Sequence, residues 1–429
     1  MQHQEKSLRA RSITLSVSFI VAGLMAYVLM AIAKRNMTPA EFSAFSVFWS
    51  FGFFVAASVG PPIEQELTRT VAHRDAHSQP IDDLVRSALA MALVMDCCAI
   101  LLAALIAMSG VLKGLRVSAT IIAAFAILIV GESLTCIVRG ILAGRRDTST
   151  LAFLVTGQSV VRALFVVLAL SIHDRVGWAA LGVAASALTF LTLANRLNVH
   201  RVDSSTQTMS SGLSRSAVVR LVAAAPFAAA FSVGTPAMAS LIASRGERDI
   251  IGDVLAALSL TSAPVLVAAA LQTVLLPTVV RSLLVGDSRL VRTTTRRITA
   301  VVLALSIVAA SVMGTFGPWL LGVLFGRTRG VGRWQLAAMA LGAGLLFLAN
   351  LLAPVCVARR SHGSVTRAWA AGAITLLGLI LIPGHLATRV SIGVVGGAAV
   401  VVGSLMGSLR SIYASETTQP GNPRAALRS

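Results

Sequence analysis

The chain has 429 residues, of which 56% are hydrophobic, 12% charged and 5% aromatic, and its formal net charge is +19. Soluble domains are about 25% charged, so this chain has too few ionic groups to cover a water-facing surface, and a polytopic membrane protein follows. The positive excess does not imply a nucleic-acid partner, because Lys and Arg collect in short segments between apolar runs without interleaved aromatics.

Spanning a bilayer core takes about 20 mostly apolar residues. That rule predicts twelve helices, near 12–33, 38–60, 87–112, 117–138, 150–172, 177–197, 218–244, 254–280, 298–324, 333–358, 365–383 and 388–413. The first follows Lys6, Arg9 and Arg11 and has 22 residues, longer than the about 7–15 of a signal-peptide core, so it is expected to stay as a span. The second opens on "TPAEF", with Thr38 as N-cap, Pro39 at the first helical position and Glu41 three residues after the cap, a capping-box pattern. It is expected to end at 60, which puts Pro61 and Pro62 of "GPPIEQELTR" at the membrane surface.

Glu64, Glu66 and Arg69 then lie at the inner mouth. Glu66 and Arg69 are helix neighbours at i, i+3 if the helix resumes, while Glu64 faces another side. One carboxylate is expected to bond Arg69 and the other a basic residue on an adjacent helix end. An inner gate of ion pairs, simple solvation and direct substrate contact all remain open.

Helices three to five carry charges inside the membrane, where an ionisable group normally faces a cavity or a partner. Asp96 is placed about 14 Å deep in helix three, Glu132 about 9 Å from the end of helix four, and Arg162 about 18 Å into helix five, at 1.5 Å per residue. Arg139, Arg145 and Arg146 line the exit of helix four, the latter two joining Glu64 and Glu66 as inner-gate candidates. Glu132 and Arg162 either neutralise each other or leave Arg162 for an anionic ligand. The second half shows no comparable interior charge.

The polar stretch 198–217, containing "VDSSTQTMSSGLSRS", reads as a cytoplasmic linker between six-helix lobes at 12–197 and 218–413. Residues 1–11 form the N-terminal segment and 414–429 a disordered tail. A weak echo supports parallel repeats: "AGRR" at 143–146 and "VARR" at 357–360 both end the fourth helix of a lobe. Helix seven contains Pro226 and Pro236, and helix eight Pro264 and Pro277, which are bends a membrane tolerates where neighbours or a cavity satisfy the freed carbonyls. Segments on the side of the termini carry 24 Lys and Arg against 11 opposite, so both termini are expected in the cytoplasm. Cys97, Cys98, Cys136 and Cys356 lie in apolar segments without metal or redox spacing and read as small buried hydrophobes. No metal or cofactor is expected.

The stretches "MTPAEFSAFSVFWSF" (37–51), "PPIEQELTR" (61–69) and "RGILAGRR" (139–146), together with the span count, resemble the multidrug/oligosaccharidyl-lipid/polysaccharide (MOP) flippase superfamily. The specific likeness is to polysaccharide biosynthesis flippases of the O-antigen translocase type, over residues 10–413. The resemblance implies an all-α, V-shaped, MATE-like pair of six-helix lobes around a cationic cavity in the cytoplasmic membrane. A glycan linked to a lipid diphosphate of the undecaprenyl type would cross by alternating access, its tail staying among the membrane lipids between helices one and eight. Arg162, with Arg139 and Arg69 nearer the mouth, would receive the diphosphate bidentately, and Asp96 or Glu132 would tune the site or couple an ion, with H+ and Na+ both open.

Departures mark the other branches. Helix one has no acidic residue of the kind drug antiporters carry, and the chain lacks the fourteen helices and first-helix arginines of lipid II flippases. A multidrug or other small-molecule exporter is the alternative. A membrane enzyme acting on lipid-linked sugars is less favoured, because the outer loop "RGERDIIGD", with Glu247, Asp249 and Asp253, is too short to form a site alone. No P-loop for ATP is present, and the segment after helix two lacks the pattern of the major facilitator type.

Overall fold

A computed structural model describes residues 2–108, 118–172, 174–196, 215–262, 288–326, 328, 330–358 and 362–418. These residues form helices α1 (Gln2–Asn36), α2 (Pro39–Asp75), α3 (Asp82–Met108), α4 (Ala119–Gly144), α5 (Thr148–Ala169), α6 (Arg175–Ser186), α7 (Arg215–Ala229) and α8 (Thr235–Ile242). Then come α9 over 251–262, α10 (Ser288–Phe325), α11 (Arg333–Ala358), α12 (His362–Ile380) and α13 (Leu386–Thr418). Eleven helical segments among the described residues are long and apolar enough to cross a membrane. The predicted eighth span lies largely outside them, with Pro264 and Pro277, and so do most of the linker, Arg359, Arg360 and the end of the tail.

The capping box of α2 forms as its residue types require. Thr38 Oγ1 accepts from the Glu41 amide at 3.3 Å, and Glu41 Oε2 accepts from the Thr38 amide at 2.8 Å. The expected stop at 60 does not occur, because α2 continues through Pro61 and Pro62 for 37 residues. Each interior proline costs a helix about 3 kcal/mol, and tertiary packing offsets that here. Beyond the prolines, Ile63, Leu67 and Val71 are fully buried against Ile81, Leu84 and Ala88 at the start of α3, Ile137 and Ile141 of α4, and Val218 of α7. Three such side chains contribute about 1.5–3 kcal/mol each, which matches the two prolines.

Backbones approach closely where α2 meets α4. A methyl group on Gly60 would stand 2.5 Å from Cys136 Sγ, and one on Gly144 2.7 Å from Val71. Small residues let membrane helices pack at this distance. The corner from α2 to α3 is held by the buried Arg74, which donates to both Asp83 carboxylate oxygens and to the Pro80 carbonyl. Along α3, Cys97 and Cys98 are exposed beside Leu93, Val94, Leu101 and Leu102. They are therefore not the buried hydrophobes expected, because the helix presents only its Ala88, Ala92 and Asp96 face inward.

The predicted sixth span is α6 followed by a 3-10 turn, Thr189–Arg196. The predicted seventh is two helices joined by a π-turn, Ala230–Gly234, just before Pro236. Thr235 Oγ1 donates to the Ala230 carbonyl at 2.9 Å, so a side chain adds a bond across the irregular turn. Ser244 and Glu247 cap a 3-10 turn, Arg245–Ile250, that leads into α9.

Contacts divide the chain into two compact units, Met1–Leu260 with Trp319–Val331, and Thr261–Pro318 with Gly332–Ser429. α7 and α8 thus belong to the first unit, packed along α2. In the second unit, α13 is central. Its Val390, Val394, Ala398, Val401 and Leu405 are buried, with α11 and α12 packed on it.

Candidate functional site

Three helices of the first unit bring charges to one level. Asp96 is fourteen residues from the start of α3, Glu132 twelve from the end of α4 and Arg162 fourteen from the start of α5, which is about 18–21 Å at 1.5 Å per residue. Glu132 is therefore deeper than expected, because α4 extends six residues past the predicted end at 138.

Arg162 and Glu132 form an ion pair, with Nη2 2.8 Å from Oε1 and side chains 14% and 9% exposed. Arg162 Nε donates to Ser186 Oγ of α6 at 3.0 Å. Gln158, one turn before Arg162, donates from Nε2 to the same Glu132 oxygen at 2.8 Å. The guanidinium lies 4.8 Å from the ring centroid of Phe53 and 5.8 Å from that of Trp49, so α2 supplies an aromatic wall. Trp49 and Phe53 themselves touch at 4.6 Å between centroids. Arg162 Nη1 and Glu132 Oε2 have no protein partner among the described residues. A donor and an acceptor of opposite charge thus stand side by side with bonding capacity left over.

The next residue on α4, Ser133, faces the other way and donates to Asp96 Oδ1 at 2.8 Å. Asp96 is 2% exposed, and no cation pairs with it among the described residues. A buried carboxylate with one hydroxyl partner is costly when ionised.

Toward the end of α4, Arg139 pairs with Glu64 of α2 at 3.0 Å and donates to Cys136 Sγ at 2.9 Å. Arg69 donates from Nε and Nη2 to the two Glu66 oxygens at 3.1 and 2.7 Å. Here the carboxylate is buried and the arginine side chain 70% exposed. Glu64 and Glu66 do not reach Arg145 or Arg146, which sit at the turn from α4 to α5. Each of the three arginines expected to meet an anion already has a carboxylate, and Asp96 makes four carboxylates against three arginines.

Reasoning from sequence missed Trp49, Phe53, Gln158, Ser186 and Ser133. Two signals were present: Phe45, Trp49 and Phe53 repeat every four residues on one face of α2, and Gln158 stands four before Arg162 on α5. The hydroxyls gave none, since Ser and Thr in a membrane helix more often bond their own backbone.

No protein-family model matches the chain, and no curated protein matches it. Solved structures do. One is an inward-facing conformation of a multidrug resistance MATE family transporter of the MOP superfamily, with a TM-score of 0.66 and 15% identity over 94% of this chain and 96% of that one. A eukaryotic MATE transporter matches with a TM-score of 0.62 and 13% identity, over 95% and 98% of the two chains. A Vibrio cholerae MATE transporter matches with 0.58 and 14%, over 96% and 98%. At these identities the likeness is one of fold: the chain has the all-helical fold of MATE transporters of the MOP superfamily over nearly its whole length.

Proposed function

We propose that the chain is a multi-pass transporter of the cytoplasmic membrane. In this reading it moves a lipid-linked oligosaccharide from the inner to the outer leaflet by alternating access of lobes 12–197 and 218–413. Both termini are cytoplasmic, as the Lys and Arg distribution favours. The observation that carries the substrate reading is Arg162: a guanidinium held at mid-helix by Glu132, Ser186 and two aromatic rings, with Nη1 unbonded among the described residues. Arginine's planar fork suits a diphosphate, and Arg139 and Arg69 mark a route to it from the inner face. An arriving phosphate displaces Glu132 from Nη2 and takes both guanidinium edges, while Gln158 keeps the released carboxylate bonded. Arg145, Arg146, Glu64 and Glu66 form the inner mouth. H+ or Na+ is the coupling ion in this scheme.

A second reading has its own support. Four carboxylates against three arginines, with Asp96 lacking a cationic partner among the described residues, suit a lipophilic cation, as in a multidrug exporter. Proteoliposomes separate the two. The glycan reading expects translocation of an undecaprenyl-diphosphate-linked sugar that Arg162→Ala abolishes, with no accumulation of ethidium. Ethidium transport that Asp96→Asn abolishes, with no translocation of the lipid-linked sugar, would replace it with the exporter reading.

A further inference from the structure

The corner between α1 and α2 fastens several elements at once. Lys34 and Asp253, 219 residues apart, form an ion pair whose side chains are 6% and 5% exposed. The Lys34 ammonium also stands 5.1 Å from the centroid of the Phe42 ring. Ser43 Oγ donates to the Asp249 carbonyl at 3.1 Å and accepts from the Gly252 amide at 3.1 Å. Arg35 donates from Nε to the Leu324 carbonyl at 3.1 Å and from Nη2 to the Val323 carbonyl, in the last turn of α10. That turn offers carbonyls without helical partners.

Below this corner, Phe42, Ser46, Ser50 and Phe54 repeat every four residues along α2. The row is closed at both ends: a methyl on Gly252 would meet Phe42 at 2.5 Å, and one on Gly234 would meet Phe54 at 2.6 Å. Between them Ser50 is 0% exposed, and its hydroxyl has no hydrogen-bond partner among the described residues. A buried unbonded hydroxyl is unfavourable, but one on a seam that admits water in another state recovers its bond there.

We infer that the Lys34–Asp253 pair, with Arg35 on the end of α10, is the outer latch of the transport cycle, holding the seam at Ser50 dry until it parts. The choice of charges supports a latch over a permanent joint. Desolvation makes a buried ion pair no stronger than an apolar contact of the same size, whereas ions that separate into water regain their hydration. The residues joined belong to the two proposed lobes, so the inference rests on the alternating-access reading, but it needs no substrate to test.

The probe is the thiol of Ser50→Cys in a chain whose Cys97, Cys98, Cys136 and Cys356 are replaced by Ala. A membrane-impermeant maleimide is added to the outside of intact cells, and the labelling rate is compared at equal membrane insertion. Lys34→Gln and Asp253→Asn are each expected to raise the rate about tenfold or more, as a shift toward the open state. The exchanged pair, Lys34→Asp with Asp253→Lys, returns it toward the starting value. Arg35→Gln, on an exposed side chain, raises it with less risk to insertion. Labelling that stays slow in all three single variants overturns the latch, as does an exchanged pair that labels as fast as the singles. Neither outcome depends on which substrate is carried.

Discussion

The two units bury different kinds of side chain. Among its described residues the first shows five ion pairs, three of them on α2, α4 and α5 around Glu132 and Arg139 or next to them at Glu66. The second has none among its described residues. Its buried hydroxyls, such as Ser306 and Ser391, bond the carbonyl four residues back in their own helix, at 2.6 Å in both cases. Hydroxyls of the second kind need nothing from neighbours, and the described bonds between helices of this unit go to backbone carbonyls: Arg389 donates to that of Ile380 at 3.4 Å and Cys356 Sγ to that of Leu405 at 3.9 Å. In the first unit the Glu132–Arg162 and Glu64–Arg139 pairs each join two helices, and moving one helix changes the partners of the others. A membrane protein has reason to keep such groups only where water or a ligand arrives.

The contrast breaks most readily at Glu132. Glu132→Ala leaves the Arg162 guanidinium buried beside Ser186 without a counter-ion and is expected to cost about 3–5 kcal/mol, read as a lower unfolding temperature in detergent. Glu132→Gln with Arg162→Gln together should cost less than Glu132→Ala, because no charge is stranded. Ser391→Ala in the second unit, where one local bond is lost, should cost about 1 kcal/mol. An equal loss at both sites would erase the distinction.

Packing gives the next effect. Gly60→Ala puts a methyl 2.5 Å from Cys136 Sγ and should cost about 1–3 kcal/mol. Gly403→Ala, with nothing within 4 Å, should be neutral or stabilise α13 by about 0.5–1 kcal/mol, both measured by thermal unfolding. Thr38→Ala removes the cap of α2 and should cost about 1 kcal/mol by the same measurement. Smallest is Asp96→Asn, which keeps an acceptor for Ser133 and removes an uncompensated charge. It should lower stability by no more than about 0.5 kcal/mol, while its effect on transport reports whether that carboxylate couples an ion.

Much of this was legible in the residues themselves. Apolar runs located the spans because the bilayer fixes their length, and the Thr38–Glu41 cap and the Glu66–Arg69 pair follow from local spacing. Glu132 and Arg162 declared themselves as charges in hydrocarbon. What was hidden is non-local. Pro61 and Pro62 mark a break in isolation, and only the packing of Ile63, Leu67 and Val71 on three other helices carries α2 past them. The pairing of Lys34 with Asp253 has no sequence signal, since no pattern links positions 219 apart. The side to which α7 and α8 attach is likewise set by Val218 and Gly234 meeting α2, which hydropathy does not encode.

The central claim is that the ionic cluster of the first unit receives the anionic headgroup. Binding of an undecaprenyl-diphosphate-linked sugar to the purified protein tests it most directly, with Arg162→Ala compared against Ser306→Ala of the second unit. Loss of charge-assisted hydrogen bonds worth about 1.5–3 kcal/mol predicts about ten- to a hundredfold weaker binding for Arg162→Ala alone. Equal affinity in both variants and the unaltered protein would contradict the account.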